Sequence, residues 1–211
     1  LGLFYKEFDN PIEVGKVLAQ QDLFTWFNAE EAELSGIEYE IRKDLYFGEW
    51  FGLSDAWDYF TLGFNISYID SEVTQLGEGE TAEDVPLTGG RRLGQLFRNE
   101  REMTGQSDWL GNLVLSYENF DLGLRGSLAY NYTGESIFLV GDRNDPEVFL
   151  QPRGQVDLNV KYEFTSYGQD MELELKVRNI FDESYKLEQG GQIFEEWEVG
   201  QEWKLGITAR F

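Results

Sequence analysis

Residues 171–185 read MELELKVRNIFDESY, and the first eight of them decide the fold. Met171, Leu173, Leu175 and Val177 alternate with Glu172, Glu174, Lys176 and Arg178. Successive side chains of a strand point to opposite faces, so this stretch lays an apolar stripe on one face of a sheet and a charged stripe on the other. The same period of two recurs outward along the chain. On the C-terminal side, Trp203, Leu205, Ile207, Ala209 and Phe211 alternate with Glu202, Lys204, Gly206, Thr208 and Arg210. On the N-terminal side, Val156, Leu158, Val160, Tyr162 and Phe164 form one stripe. Phe120, Leu122, Leu124, Leu128, Tyr130 and Tyr132 form another, followed upstream by Leu113, Leu115 and Tyr117. Phe60, Leu62, Phe64, Ile66 and Tyr68, then Ile37, Tyr39 and Ile41, continue the series back to a less regular segment around Phe4, Tyr5 and Lys6. The pattern predicts eight antiparallel strands in an all-β chain, most in segments with room for the ~9–11 residues that cross a bilayer at a tilt.

Composition narrows the setting. No apolar run approaches the ~20 residues of a spanning helix, but a transmembrane barrel keeps its mean hydropathy low by alternating lipid-facing with lumen-facing residues. Forty acidic residues against 17 basic ones leave a net charge of −23, which opposes nucleic-acid binding because that requires a basic footprint. Cysteine and histidine are both absent, removing thiol chemistry, the commonest transition-metal ligand and the commonest general base. Residue 1 is Leu, and no charged segment with an apolar stretch follows, so a signal has been cleaved or the chain begins partway through a longer protein.

Alternation alone fits a soluble sandwich as well. Two features point to lipid. The apolar stripes end in aromatics (Tyr68, Trp109, Tyr117, Phe164, Trp203, Phe211), as expected of girdles at two membrane interfaces. Connections also alternate in length. Those at Glu118–Asp121 and Thr165–Asp170 are short, and those at Asp70–Ser107, Gly141–Arg153 and Asp182–Glu198 are long, the pattern of periplasmic turns and outer loops. Asp44–Asp58 breaks the rule, being long where a short turn is expected and rich in aromatics (Tyr46, Phe47, Trp50, Phe51, Trp57). A hydrophobic turn dipping into the inner interface is the expectation there. Gly77–Pro86 reads as a flexible loop tip.

Leu173–Tyr185 resembles the penultimate strand of the TonB-dependent outer-membrane receptors, with Asn179, Ile180, Phe181, Asp182 and Tyr185 matching that family's signature. Leu205–Phe211 resembles its last strand with a C-terminal aromatic, and Phe4–Glu13 and Asn28–Ile41 resemble inner strands. The resemblance implies that residues 1–211 form the C-terminal part of a plug-filled transmembrane barrel of roughly 22 strands. The plug and first strands would then lie outside this sequence. It further implies an outer-membrane location and uptake of a scarce nutrient such as a ferric siderophore, cobalamin or a glycan. The implied partners are outer-membrane lipid, the TonB energy-transducing complex acting through the plug, and the barrel-assembly machinery. A self-contained eight-stranded barrel with a structural or adhesive role is the alternative.

Candidate chemistry is sparse, and no enzyme or cofactor is expected. The acids Glu38, Glu40, Glu172 and Glu174 share one face, so an i,i+2 pair needs relief from neighbouring bases; Arg42, Lys176, Arg178, Lys204 and Arg210 are suitable. In the longest outer loop Arg91, Arg92, Arg98 and Arg101 cluster, able to hold an anionic ligand or to pair within the loop. Asp142, Arg143 and Asp145 mark a second candidate ligand loop. Neither that loop nor Glu78, Glu80, Glu83 and Asp84 has EF-hand spacing, so no metal site is expected.

Overall fold

The computed structural model describes residues 1–18, 22–74, 100–141 and 146–210. In chain order the strands are β1 (Gly2–Asp9), β2 (Ile12–Leu18), β3 (Asp22–Asn28), β4 (Glu31–Leu45), β5 (Phe60–Thr74), β6 (Glu100–Arg101), β7 (Trp109–Asn119), β8 (Leu124–Thr133), β9 (Ser136–Leu139), β10 (Val148–Leu150), β11 (Arg153–Ser166), β12 (Gln169–Arg178), β13 (Tyr185–Gln189), β14 (Gln192–Trp197) and β15 (Glu202–Arg210). A short helix α1 (Phe47–Phe51) and a 3-10 turn (Asp55–Asp58) lie between β4 and β5.

The main sheet runs β1-β4-β5-β7-β8-β11-β12-β15, eight strands with every neighbour antiparallel, and β6 adds a short rung to β5. This is the all-β, antiparallel arrangement that the alternation predicts. Register explains how the stripes become faces. Leu62, Leu115, Leu128, Leu158, Val177 and Trp203 are successive partners across six strands, so one rung carries apolar residues across most of the sheet. A slip by one residue in any strand would turn its charges onto that face. Among the described residues β1 and β15 do not pair with each other, so the sheet is open at both edges. At one edge, a Cβ on Gly36 would lie 2.4 Å from the Phe4 ring, and only the missing side chain lets that ring lie across the strand.

The short connections follow local chemistry. Tyr167 and Gly168 have φ of 52° and 77°, the two positive values of a tight hairpin turn with right-handed twist. The other short turn differs from the expectation. Phe120 and Leu122 do not extend the apolar stripe of β8 but sit in a turn, 71% and 53% exposed. The Asn119 side chain accepts the Leu122 amide at 3.0 Å, and Gly123 has φ of 65°, so the chain reverses before the alternation can resume.

The long connections fold as well. β14-β13-β10-β9 form a second sheet and β2-β3 a hairpin, all at the end of the main sheet opposite the short turns. Gly77–Pro86 lies outside the described residues. The aromatic exception at Asp44–Asp58 becomes α1 and the 3-10 turn. Asp58 accepts the Gly48 and Glu49 amides at 2.7 and 3.3 Å, satisfying donors at the start of α1.

Candidate functional site

Among the described residues the long-loop end carries the most deeply buried ion pair. Glu13, on β2, is 2% exposed. Its Oε2 lies 3.0 Å from the Arg101 guanidinium and accepts the Thr104 hydroxyl at 2.7 Å and the Thr104 amide at 3.3 Å. Burial lowers the Arg101 pKa, and the charge of Glu13 and its hydrogen bond oppose that shift. Nearby, burial raises the Glu102 pKa, with the carboxylates of Asp108, Glu135 and Asp70 adding to the effect.

Around this pair the loops interlock. Gly105 donates to the Ile137 carbonyl at 2.8 Å, Val140 to Val14 at 3.3 Å, and the Met103 amide to Ser71 Oγ at 3.2 Å. Thr104 and Ile137 form a parallel bridge, Ser107 and Ser136 an antiparallel one. Leu139, Val148 and Leu187 are buried together, with Val14 and Leu150 packed against them. The four long connections therefore meet as one crown, and among the described residues no buried side-chain nitrogen or oxygen inside it lacks a partner.

Of the candidate ligand-loop residues, Arg91, Arg92, Arg98, Asp142, Arg143 and Asp145 lie outside the described residues. Arg101 is described, and its side chain is committed to the interior of the crown. The alternation around Glu13 marks Ile12 and Val14, and nothing local distinguishes this acid from the other thirty-nine. Its role appears only when β6 is packed against β2.

The signature residues build the root of the last long loop. Asn179 is 4% exposed with φ of 53°, and its side chain donates to the carbonyls of Glu183 (3.2 Å) and Gly200 (3.1 Å) while accepting the Glu183 amide (3.0 Å). One side chain thus ties the outgoing and returning ends of the loop. Asp182 follows with φ of 57°. Tyr185 stacks on Trp197 at 5.3 Å between ring centroids, and the Arg153 guanidinium lies 4.4 Å from the Tyr185 ring. Phe181 is 70% exposed and lies beside Leu113, Leu115 and Leu128 on the apolar side, and Phe211 lies outside the described residues. Asn179→Ala is expected to strand the Gly200 and Glu183 carbonyls and the Glu183 amide, costing about 1–3 kcal/mol and loosening Asp182–Gln201. Faster proteolysis of that loop, with the rest of the barrel unaffected, checks this.

The polar face of the main sheet is an ion-pair ladder. Lys161 bridges Glu172 and Glu174 at 3.1 and 3.3 Å, Lys176 reaches Glu174 at 3.0 Å, Arg125 pairs with Glu163, and Arg178 meets Glu202 at 3.3 Å. The repulsion between Glu172 and Glu174 is relieved chiefly by Lys161 and Lys176. Lys161 and Arg125 lie outside the set of bases that the alternation marks as suitable to relieve the acids. Lys161 relieves them because register sets it directly opposite Glu174.

No curated protein matches the chain. A family model for the TonB dependent receptor-like β-barrel matches residues 1–180. The match covers seven of the eight main-sheet strands and ends inside the Asn179–Tyr185 signature, where the structure places the root of the last loop. With the antiparallel strands, the two-faced alternation and the alternating connections described above, the chain belongs to the TonB-dependent receptor-like β-barrel family.

Proposed function

We propose that this chain is the C-terminal barrel segment of an outer-membrane receptor that takes up a scarce nutrient with energy relayed by TonB. The observation that carries this reading is the exposed apolar face: Leu3, Ile37, Ile41, Leu113, Leu128, Leu205 and Ile207 are between 41% and 79% exposed. A soluble monomer rarely leaves so extended an apolar surface to water, whereas a barrel turns it to lipid and keeps the charged ladder in the lumen. The short turns then face the periplasm and the crown faces outward. The open edges at β1 and β15 support a place within a larger barrel, because unpaired backbone groups in lipid cost several kcal/mol each. The preceding strands and a plug would complete that barrel.

The ligand class is a ferric siderophore, cobalamin or a glycan, met by the outer crown. Arg91, Arg92, Arg98, Asp142, Arg143 and Asp145 are the candidate contacts, with Arg101 holding the crown in shape. The barrel-assembly machinery reads the terminal strand and Phe211. The family's work is transport, and the site needs no catalytic group.

Deleting the gene should abolish energy-dependent uptake of one ligand from a panel of ferric siderophores, cobalamin and glycans. The intact gene should restore it only in cells that have TonB. Uptake of every ligand at wild-type rates in the deletion strain, or restored uptake without TonB, would overturn the reading.

A further inference from the structure

Lys43 is the one base on the apolar face of the main sheet among the described residues, paired in register with Leu62 beside Ile41 and Leu45. Among the described residues no carboxylate pairs with it, and its Nζ lies 5.7 Å from the Trp50 ring centroid on α1. An ammonium on an apolar face that meets lipid gains from an anionic group at its own level, and this one stands at the short-turn end, where the membrane reading puts the inner interface.

α1 and the 3-10 turn fold onto that same face. Phe47 and Trp57 pack on Phe60 at 5.6 and 6.0 Å, and Phe60 packs on Tyr117 at 4.9 Å. Tyr46, Trp50, Phe51 and Trp57 remain 45–70% exposed, the amphipathic aromatic composition of a membrane interface. Beyond Trp57 lies a groove of about 360 Å³ lined by Trp57, Phe60, Tyr117, Leu124, Gly126 and Val160, and also by Arg125, whose guanidinium is paired with Glu163. It continues the apolar face without a break.

Charge selects the occupant. Residues 43–58 hold one base and four acids. Asp44 is engaged by the Thr61 hydroxyl at 2.8 Å and Asp58 by the amides of α1, which leaves Glu49 and Asp55 exposed. A net anionic headgroup would be repelled, whereas a phosphate bearing its own ammonium matches a lone cation flanked by carboxylates.

We propose that Lys43, α1 and the adjoining groove bind one zwitterionic, ethanolamine-type phospholipid of the inner leaflet. Its phosphate lies on Lys43 beside Trp50, its ammonium faces the exposed carboxylates, and an acyl chain crosses Phe60 and Tyr117 into the groove. This site rests on the membrane reading above.

The test uses the full-length protein extracted from its outer membrane in detergent, stripped of lipid, and given either phosphatidylethanolamine or phosphatidylglycerol before native mass spectrometry. Wild type should retain phosphatidylethanolamine over phosphatidylglycerol. Lys43→Ala should lose about five-fold in retention, and Lys43→Arg should restore it. Gly126→Leu should lower retention by filling the groove, since a Cβ there meets Asn159 O at 3.4 Å and Val160 Cγ2 at 3.6 Å, a small adjustment at most for the first and ordinary contact for the second. Equal retention in wild type and Lys43→Ala, or a preference for phosphatidylglycerol, would overturn the site while the protein remains a heat-modifiable outer-membrane barrel. Absence of the wild type from the outer membrane would overturn the site and the membrane reading together.

Discussion

Arg101→Ala is expected to destabilise the crown by about 3–5 kcal/mol, because it leaves the Glu13 carboxylate buried without its counter-charge. Glu13 is 2% exposed and the Arg101 side chain 4% exposed, so water cannot replace the lost partner unless the loops part. Thr104 would still donate its hydroxyl and amide, which lessens the loss but cannot neutralise a charge. The double variant Glu13→Gln with Arg101→Met should recover most of the stability, since a glutamine keeps the Thr104 bonds and an apolar chain of similar length fills the space. Hydrogen exchange at the amides of Gly105 and Val140, which donate across the loops to the carbonyls of Ile137 and Val14, reads the effect directly. If the single and double variants open equally easily, the pair does not hold the crown. Under the proposed function the consequence reaches uptake, because a crown that binds ligand loses affinity in proportion to the fraction of molecules whose loops have parted.

Leu175→Arg is expected to cost about 2–4 kcal/mol of folding stability in lipid vesicles, the cost of a cation on the lipid face near the bilayer midplane. Leu175 sits mid-strand on the apolar face, between Val160 and Leu205. Glu174→Arg, one residue away on the opposite face, should cost about 1 kcal/mol or less. It loses contacts to Lys161 and Lys176 and gains repulsion, but all three groups keep access to water. Urea titrations of the two variants folded into the same vesicles give the comparison. Equal costs would mean that both faces meet the same solvent, and the membrane reading would fall. In water the order would differ in another way, since an arginine on a half-exposed soluble face perturbs stability little.

The main sheet was readable from the chain because its determinants are local and repeated. Each main-sheet strand after β1 shows its two faces through alternation, and a slip by one residue is heavily penalised wherever one face must be apolar. Met171–Arg178 and Trp203–Ala209 needed no partner to be read as strands, and the structure pairs them in the register that keeps their stripes aligned. The Asn179–Tyr185 signature was equally legible as a pattern. Its physical reason waited for Gly200, whose carbonyl Asn179 caps from twenty-one residues away.

What the sequence could not decide depends on contacts between segments far apart in the chain. At the β7–β8 turn Phe120 and Leu122 continue the alternation, but the Leu122 amide donating to the Asn119 side chain and the backbone freedom of Gly123 end the strand. Glu13 and Arg101 are 88 residues apart, and only the packing of β2, β6 and β9 turns two ordinary charges into a buried pair. Lys161 relieves Glu172 and Glu174 because register places it opposite Glu174 and diagonal to Glu172, which alternation within either strand does not specify. Period-two patterning thus determined which face of each strand is apolar. Tertiary structure alone decided which charges meet, because electrostatic partners are set by distance in space and loops carry no periodicity from which that distance can be read.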